Sequence, residues 1–342
     1  MDILELYFMF LTIVSAAMAS AFITWAIRPL LLRYAPAKPN ARSSHYVPTP
    51  QGAGIAVITA TLGVAGTVIH WVAAPEMHIA AQVFCAAAFL AVVGLADDIK
   101  SIPIWPRLVL QAIAVGAVVA IGFANLRIVP ACPLWIERGL LFLALLWFVN
   151  LVNFMDGLDW MTVAEVVPIT GAIVVLNVLN LFDYALEMPA IIAAALCGAM
   201  LGFAPFNRPV AKIFLGDVGS LPIGLLLGWC LLELAYGRQF VAALLLPLYY
   251  LSDATVTLLR RVARREPFWA AHRTHFYQRA TDNGFTVSRV VSEVFALNIV
   301  LAALALGSIL SPSIMIRSLM LAAGAGATAF LMYRFSQPRR RA

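Results

Sequence analysis

Asn150-Leu-Val-Asn153-Phe-Met-Asp156-Gly157-Leu-Asp159 puts two carboxamides, two carboxylates and a glycine at the end of an apolar run, Leu140 to Val149. Polar atoms in or beside hydrocarbon are costly, so they require partners or a task. In a helix, Asn153, Asp156 and Asp159 would be neighbours at i, i+3 spacing, along a row that drifts around the axis. Oxygen-only donors suit Mg2+, which keeps waters and takes one or two carboxylates plus phosphate oxygens; they do not suit zinc. Alone, the stretch reads equally well as a polar loop.

Further segments have types and spacings that fit the same chemistry. Asp97-Asp98 follows an apolar run ending Gly94-Leu95-Ala96. Adjacent carboxylates repel, and a helix C-terminus disfavours them, so both stay ionised only beside a cation such as Lys100, Arg107 or Mg2+. Phe214-Leu215-Gly216-Asp217-Val218-Gly219-Ser220 comes just after Arg208 and Lys212. Its glycines let the backbone turn tightly around Asp217, either as a plain N-cap or with the N–H groups of Gly219 and Ser220 facing an anion. The spacing of a Walker loop is absent. In His272-Arg273-Thr274-His275-Phe276-Tyr277-Gln278-Arg279 two histidines three apart would share a helical face. Zinc would need ligands this loop lacks, so phosphate binding through His and Arg stands against a plain basic loop. Ser43 to Gly54, with Pro48, Pro50, Gly52 and Gly54, makes a stiff approach to a helix. Asp253 lies inside an apolar span, about two helical turns from Arg260, and its partner is not readable.

The elements that must position these residues are membrane helices. Of 342 residues 63% are hydrophobic and 12% charged, and the mean hydropathy is +0.91. Apolar runs near residues 7–27, 53–73, 80–96, 108–125, 138–152, 161–181, 189–205, 221–237, 240–258, 290–309 and 315–333 have about the length of a bilayer-spanning helix. This predicts an all-α polytopic membrane protein of about 11 transmembrane helices, one domain over residues 1–342. All but Arg127, Arg138, Arg238 and Arg317 of the 23 Lys and Arg residues fall on one side, mostly in loops at about 28–52, 97–107, 206–220 and 260–289 and in the C-terminal tail. The positive-inside rule makes that side cytoplasmic, together with the loop at 150–160, with the N-terminus outside and the C-terminus inside. A net charge of +6 so distributed suits anionic headgroups and phosphorylated substrates rather than nucleic acid. The first run has Asp2 and Glu5 ahead of it, no Lys or Arg, and continues to about Ile27, which describes a retained helix rather than a signal peptide. Cys85, Cys132, Cys197 and Cys230 stand singly and read as structural thiols.

Taken in order, Pro48-Thr-Pro-Gln-Gly-Ala-Gly54, Gly94-Leu-Ala-Asp97-Asp98, Asn150 through Asp159, Leu215-Gly-Asp217-Val-Gly-Ser220 and His272-Arg-Thr-His275 resemble the motifs of the polyprenyl-phosphate N-acetylhexosamine-1-phosphate transferases. The last motif, where the phospho-muramoyl-pentapeptide transferases have three consecutive histidines, is similar to the branch that initiates O-antigen or capsule glycans. Two positions depart from the pattern: Trp160 stands where glycine is usual, and Gln51 where a basic residue is common. The resemblance implies transfer of a sugar 1-phosphate from a UDP-N-acetylhexosamine to undecaprenyl phosphate, releasing UMP at the cytoplasmic face of the inner membrane. It implies Mg2+, or Mn2+ in its place, on Asp217 with Asn153, and Asp97, Asp98 and Asp156 as catalytic carboxylates, the first two positioning or deprotonating the lipid phosphate. Asp159 is implied at the uridine or ribose end, and His272, Arg273, His275 and Arg279 on the phosphates or sugar. Asn150, Lys100 and Gly216 complete the implied substrate contacts. The lipid bilayer and a homodimer are the remaining expected partners. An ion-coupled transporter using Asp98, Asp156 and Asp253 is the rival from another class, but it would place polar residues near the midplane of paired halves. A CDP-alcohol phosphotransferase would carry Ala-Arg two residues after Asp-Gly, whereas here Asp156-Gly157 is followed by Leu158-Asp159-Trp160-Met161.

Overall fold

Helix α8 (Asp217–Tyr236) is the axis of the molecule: 94% of its apolar window is buried, against 22% for α1 (Ile3–Tyr34) and 17% for α13 (Ile314–Ser336). The computed structural model describes residues 3–34, 36–37, 49–72, 77–122, 127–179, 187–267 and 272–339. Lys38, Arg42 and Ser43 to Pro48 lie outside the described residues.

The chain is helical almost throughout, and the one sheet among the described residues pairs Pro36–Ala37 (β1) with Thr49–Pro50 (β2). Helices α2 (Gly54–Val72), α3 (Met77–Ile99), α5 (Leu134–Met155) and α7 (Glu187–Asn207) surround α8, and α1 runs along α7. Helix α6 (Met161–Val178) joins α7 to α12 (Val287–Leu310). Inside that last contact, Asn298 of α12 donates to Glu165 of α6 at 2.6 Å and to the Ala164 carbonyl at 2.9 Å. Polar pairs of this kind join helices where no water can compete.

Nine helices among the described residues are long and apolar enough to cross a membrane. Two of the expected spans take another form. The span expected at 108–125 begins at Ile104, just after Pro103, and runs as α4 (Ile104–Ala117) into a single wide turn, Val118–Gly122. The span expected at 240–258 is broken into α9 (Phe240–Leu245) and α10 (Leu248–Ala263). Pro247 lies at the break, where it withholds an N–H and crowds the preceding turn. Helix α10 is unlike its neighbours: Asp253, Thr257 and Arg261 lie along its buried face, while Leu259 and Val262 are exposed.

Close backbone approach sets the start of α8. A Cβ on Gly94 of α3 would lie 2.2 Å from the Asp217 carbonyl oxygen. Glycine there lets α3 lie directly against the first residue of α8, and the two residues that end α3 with a charge, Asp97 and Asp98, are carried to that point.

Candidate functional site

The polar segments converge on the N-terminus of α8. Residues 50–54 run beside 213–215: Phe214 N–H donates to the Pro50 carbonyl at 2.8 Å, and Gly52, Ala53 and Gly54 donate back to Phe214 and Leu215 at 3.1, 3.0 and 2.8 Å. Asp98 closes the helix end. Its Oδ1 accepts the N–H of Asp217 at 3.0 Å and its Oδ2 that of Val218 at 3.1 Å. Gly216 makes room for this with φ 78°, since a Cβ there would sit 2.5 Å from Asp98 Oδ2. The Gln51 amide donates to Asp98 Oδ1 at 3.2 Å and to its carbonyl at 3.1 Å. The N–H groups of Gly219 and Ser220 both go to the Gly216 carbonyl at 3.0 Å. The cap expected from Asp217 is thus supplied by Asp98, and the ring of free N–H groups expected to face an anion is already satisfied. The placement of Asp98 at the wrong end of its own helix has its reason in the helix it serves.

Asp97 turns away from that cap. Its Oδ1 accepts the Ile102 N–H at 2.6 Å, and its Oδ2 lies 2.9 Å from Nη1 of Arg107, the same nitrogen that stands 3.3 Å from Oδ2 of Asp217. One guanidinium therefore bridges two carboxylates, each partly open. Asn153 donates to Ser220 Oγ at 2.8 Å and also reaches the Asp217 carboxylate.

Helix α5 ends at Met155, so the helical row expected through Asp156 and Asp159 is not formed; Asp156 has φ −80° and ψ 49°. Its Oδ1 accepts the Thr162 hydroxyl. Loss of hydration pushes the Asp156 carboxyl up to about 8, and the charges of Asp217, Asp98 and Asp159 push the same way. The chain then folds back: buried Asp159 accepts the Ala211 N–H at 3.0 Å and pins the segment after α7. Trp160 follows in the left-handed region, φ 65°, with its N–H on Asn207 Oδ1 at 2.8 Å and its indole N–H on the Ala204 carbonyl at 2.6 Å. Glycine takes that conformation freely, and here two hydrogen bonds hold a half-exposed tryptophan in it.

The remaining candidates are placed less centrally. Asn150 donates to Gln111 Oε1 at 2.8 Å and to the Leu146 carbonyl at 2.9 Å, joining α5 to α4 one turn below Asn153. Lys100 is exposed at the end of α3. His272 and His275 do not share a helical face; they precede α11 (Phe276–Asp282), yet their rings stack with centroids 5.0 Å apart. Arg273 reaches Thr281 Oγ1 at 3.1 Å and Asp282 at 3.5 Å, and the Arg279 guanidinium lies 5.9 Å from the Phe276 ring centroid. The Tyr277 hydroxyl ties this segment to the α5 end by donating to the Phe154 carbonyl at 3.0 Å.

Thr162 and Tyr277 were not singled out from sequence, Ser220 only for its backbone N–H, Gln51 only as a departure from the family pattern, and Arg107 only as a counter-charge. Only Tyr277 has a sequence correlate, Gly157: a Cβ there would lie 2.2 Å from the tyrosine oxygen.

The donor set fits a hard divalent cation. Asp97, Asp217 and Asn153 offer oxygens, and Arg107 already places positive charge between the two carboxylates. Among the described residues no three His, Cys, Asp or Glu side chains form a metal cage. Mg2+ does not require one, since it takes one or two carboxylates and completes its shell with water and phosphate.

Residues 80–235 match the sequence profile of glycosyl transferase family 4. The decaprenyl-phosphate N-acetylglucosaminephosphotransferase of Mycolicibacterium smegmatis is 30% identical, over 82% of this chain and 77% of that protein. The Mycobacterium leprae protein of the same name is 28% identical, over 82% of this chain and 79% of its own length. The phospho-N-acetylmuramoyl-pentapeptide-transferase of Neisseria meningitidis is 30% identical over a shorter stretch, 54% of this chain and 56% of that protein. Each of these relatives is a transferase by name.

Proposed function

Since the chain belongs to the polyprenyl-phosphate N-acetylhexosamine-1-phosphate transferases, we propose that it transfers an N-acetylhexosamine 1-phosphate from a UDP-sugar to undecaprenyl phosphate. UMP is released, and the product starts a lipid-linked cell-surface glycan. The meeting of Asp97, Asp98, Asp156 and Asp217 with Arg107 at the start of α8 carries this reading. Arg107 meets only two of these four carboxylates, Asp97 and Asp217, so the cluster is short of positive charge.

In the reaction, an oxygen of the lipid phosphate attacks the phosphorus that bears the sugar, and the bond from that phosphorus to the oxygen of UMP breaks. A phosphate monoester is mostly ionised near neutral pH, so the acceptor needs alignment and screening more than deprotonation. Asp217 and Asn153 would hold Mg2+, or Mn2+ in its place, which supplies charge neutralisation to the diphosphate and the leaving UMP. Arg107, held between Asp97 and Asp217, adds a fixed cation for phosphate oxygens. Asp98 keeps the backbone of Asp217 in place. With its Oδ1 taken by Thr162, Asp156 has Oδ2 to carry a proton beside the reacting phosphates. Lys100, His272, Arg273 and Arg279 supply the phosphate and sugar contacts, with His275 buried behind His272, and Asp159 with the half-exposed Trp160 flanks the place assigned to the nucleoside. The distribution of Lys and Arg supports a site on the cytoplasmic face of the inner membrane, with the N-terminus outside. The greater length aligned with the N-acetylglucosamine enzymes, 77% of the relative against 56% for the pentapeptide enzyme, makes UDP-GlcNAc the first donor to assay.

Protein purified in detergent, given undecaprenyl phosphate, Mg2+ and radiolabelled UDP-GlcNAc, is expected to form a labelled lipid and one equivalent of UMP. Lack of product with a panel of UDP-N-acetyl sugars, from protein that elutes as a folded species, would sink the proposal.

A further inference from the structure

Asp253 of α10 is fully buried, and nothing in the mechanism above uses it. Its Oδ1 accepts the N–H of Phe276 at 3.0 Å and the Thr257 hydroxyl at 3.3 Å, and lies 3.2 Å from Nδ1 of His275. Its Oδ2 accepts the N–H of Tyr277 at 3.1 Å and the Tyr249 hydroxyl at 3.1 Å. Five donors therefore meet one carboxylate inside the protein. An ionised carboxylate only accepts, so this contact puts a proton on Nδ1 of His275 and fixes the plane of its ring. That ring is stacked between two others, His272 at 5.0 Å and Tyr277 at 5.7 Å. His275 is itself buried and His272 is partly open. On the other side of the stack, the Tyr277 hydroxyl holds the Phe154 carbonyl, two residues before Asp156. One buried carboxylate thus sets both the histidine stack and its distance from the end of α5.

We propose that Asp253 is a positioning residue for the transfer reaction: through His275 it presents His272, with Arg273 and Arg279, to the phosphates of the nucleotide sugar. His275 then acts as the internal link, and His272 as the side chain that meets substrate. The proposal rests on the transferase reading, but its geometric half stands apart from it.

The test pairs kinetics with 15N spectra of histidine-labelled protein, His275 being assigned by its loss in His275→Gln. In the wild type, His275 is expected to show a single form protonated on Nδ1, and Asp253→Asn is expected to release it into a mixture of tautomers. The same substitution is expected to raise KM for the UDP-sugar about 10- to 100-fold, by analogy with the loss in affinity or activity when the partner that orients a metal-bound histidine is removed. KM for the lipid is expected to stay within about threefold, since that substrate's binding does not pass through His272. Asp253→Asn/His275→Gln is expected to be no worse than the more damaging single variant, because both break one unit. Multiplicative losses in the double variant, or an unchanged KM for the UDP-sugar once the tautomer is released, overturn the proposal. Should Asp253→Asn not survive purification, Tyr249→Phe and Thr257→Val each remove one donor and leave the carboxylate. Both are then expected to raise KM for the UDP-sugar at constant kcat, and no shift in either is a refutation. If the wild type is inactive with every donor, the transferase reading has failed, and the spectrum alone decides whether Asp253 fixes His275.

Discussion

Two carboxylates in this protein, Asp253 fully buried and Asp98 partly so, do the same thing to two different helices. Asp98 accepts the first two N–H groups of α8 at 3.0 and 3.1 Å, and Asp253 accepts those of α11 at 3.0 and 3.1 Å. Each comes from another helix and closes an end that its own chain neighbours leave open. The surroundings then differ. Asp253 is ringed by neutral hydroxyls and an imidazole, so its charge is answered within the fold. Asp98 stands beside Asp97, Asp217 and Asp156, with Arg107 as the cation bridging Asp97 and Asp217. The lesson is that a capped helix end becomes a reactive site when its electrostatics are left unfinished. The completed copy can serve only to hold parts in place.

The sharpest way to break the comparison is Asp217→Ala. It is expected to cut UMP release by about a hundred- to a thousandfold, as loss of a group that stabilises transition-state charge does, while leaving the apparent melting temperature in detergent unchanged or higher. Asp98→Ala is expected to damage turnover nearly as much but to lower the melting temperature, by an amount corresponding to about 1–2 kcal/mol for a lost cap. If the two variants shift stability in the same direction, Asp98 is not a cap in solution. Next in size is the response to cation: adding Mg2+ at about 100 times its dissociation constant is expected to stabilise the wild type by about 2.7 kcal/mol. Asp217→Ala is expected to abolish that gain and Asp253→Asn to keep it.

The pH dependence comes third. With chelator present, Asp156 has a folded-state pKa of about 8 against an ordinary value of 3.8. Folded protein therefore binds the extra proton between those values, and its contribution to stability falls as pH rises, levelling off above about 8. Melting curves between pH 5 and about 9 are expected to slope downward, and Asp156→Asn to flatten them. The smallest effect concerns Trp160. Trp160→Gly trades a hydrogen bond for relief of the left-handed backbone and is expected to move stability by less than about 1 kcal/mol, whereas Trp160→Ala loses the bond and keeps the strain. An alanine variant as stable as the glycine one contradicts that account.

Much of this was legible in the sequence where the signal is local. Apolar runs of bilayer length give the spans, and charge placement gives an expected sidedness. The carboxylates that gather at α8 are the ones whose positions beside hydrocarbon made them conspicuous. What escaped is non-local. Nothing near Asp98 says that it serves a helix 119 residues further on. Nothing near Asp253 announces Phe276 and Tyr277, and Asn153 to Asp159 invites a helical reading that fails because α5 stops at Met155. The break before α10 was readable in principle, since Pro247 stands in the middle of the expected span, but apolar length outweighed it.

Helix α10 has one more consequence, for how the protein is made. A helix that buries Asp253, Thr257 and Arg261 and shows Leu259 and Val262 outward has little tendency to enter lipid by itself. Part of its receptor is already standing when it leaves the ribosome: α5, which Thr255 of α10 joins through the Trp147 indole at 3.1 Å, is synthesised about a hundred residues earlier, whereas the donors from His275 to Tyr277 that meet Asp253 follow it. Truncated nascent chains ending shortly after residue 267 are therefore expected to hold this segment only when the earlier helices are intact, so that assembly of the bundle precedes, and licenses, completion of the site.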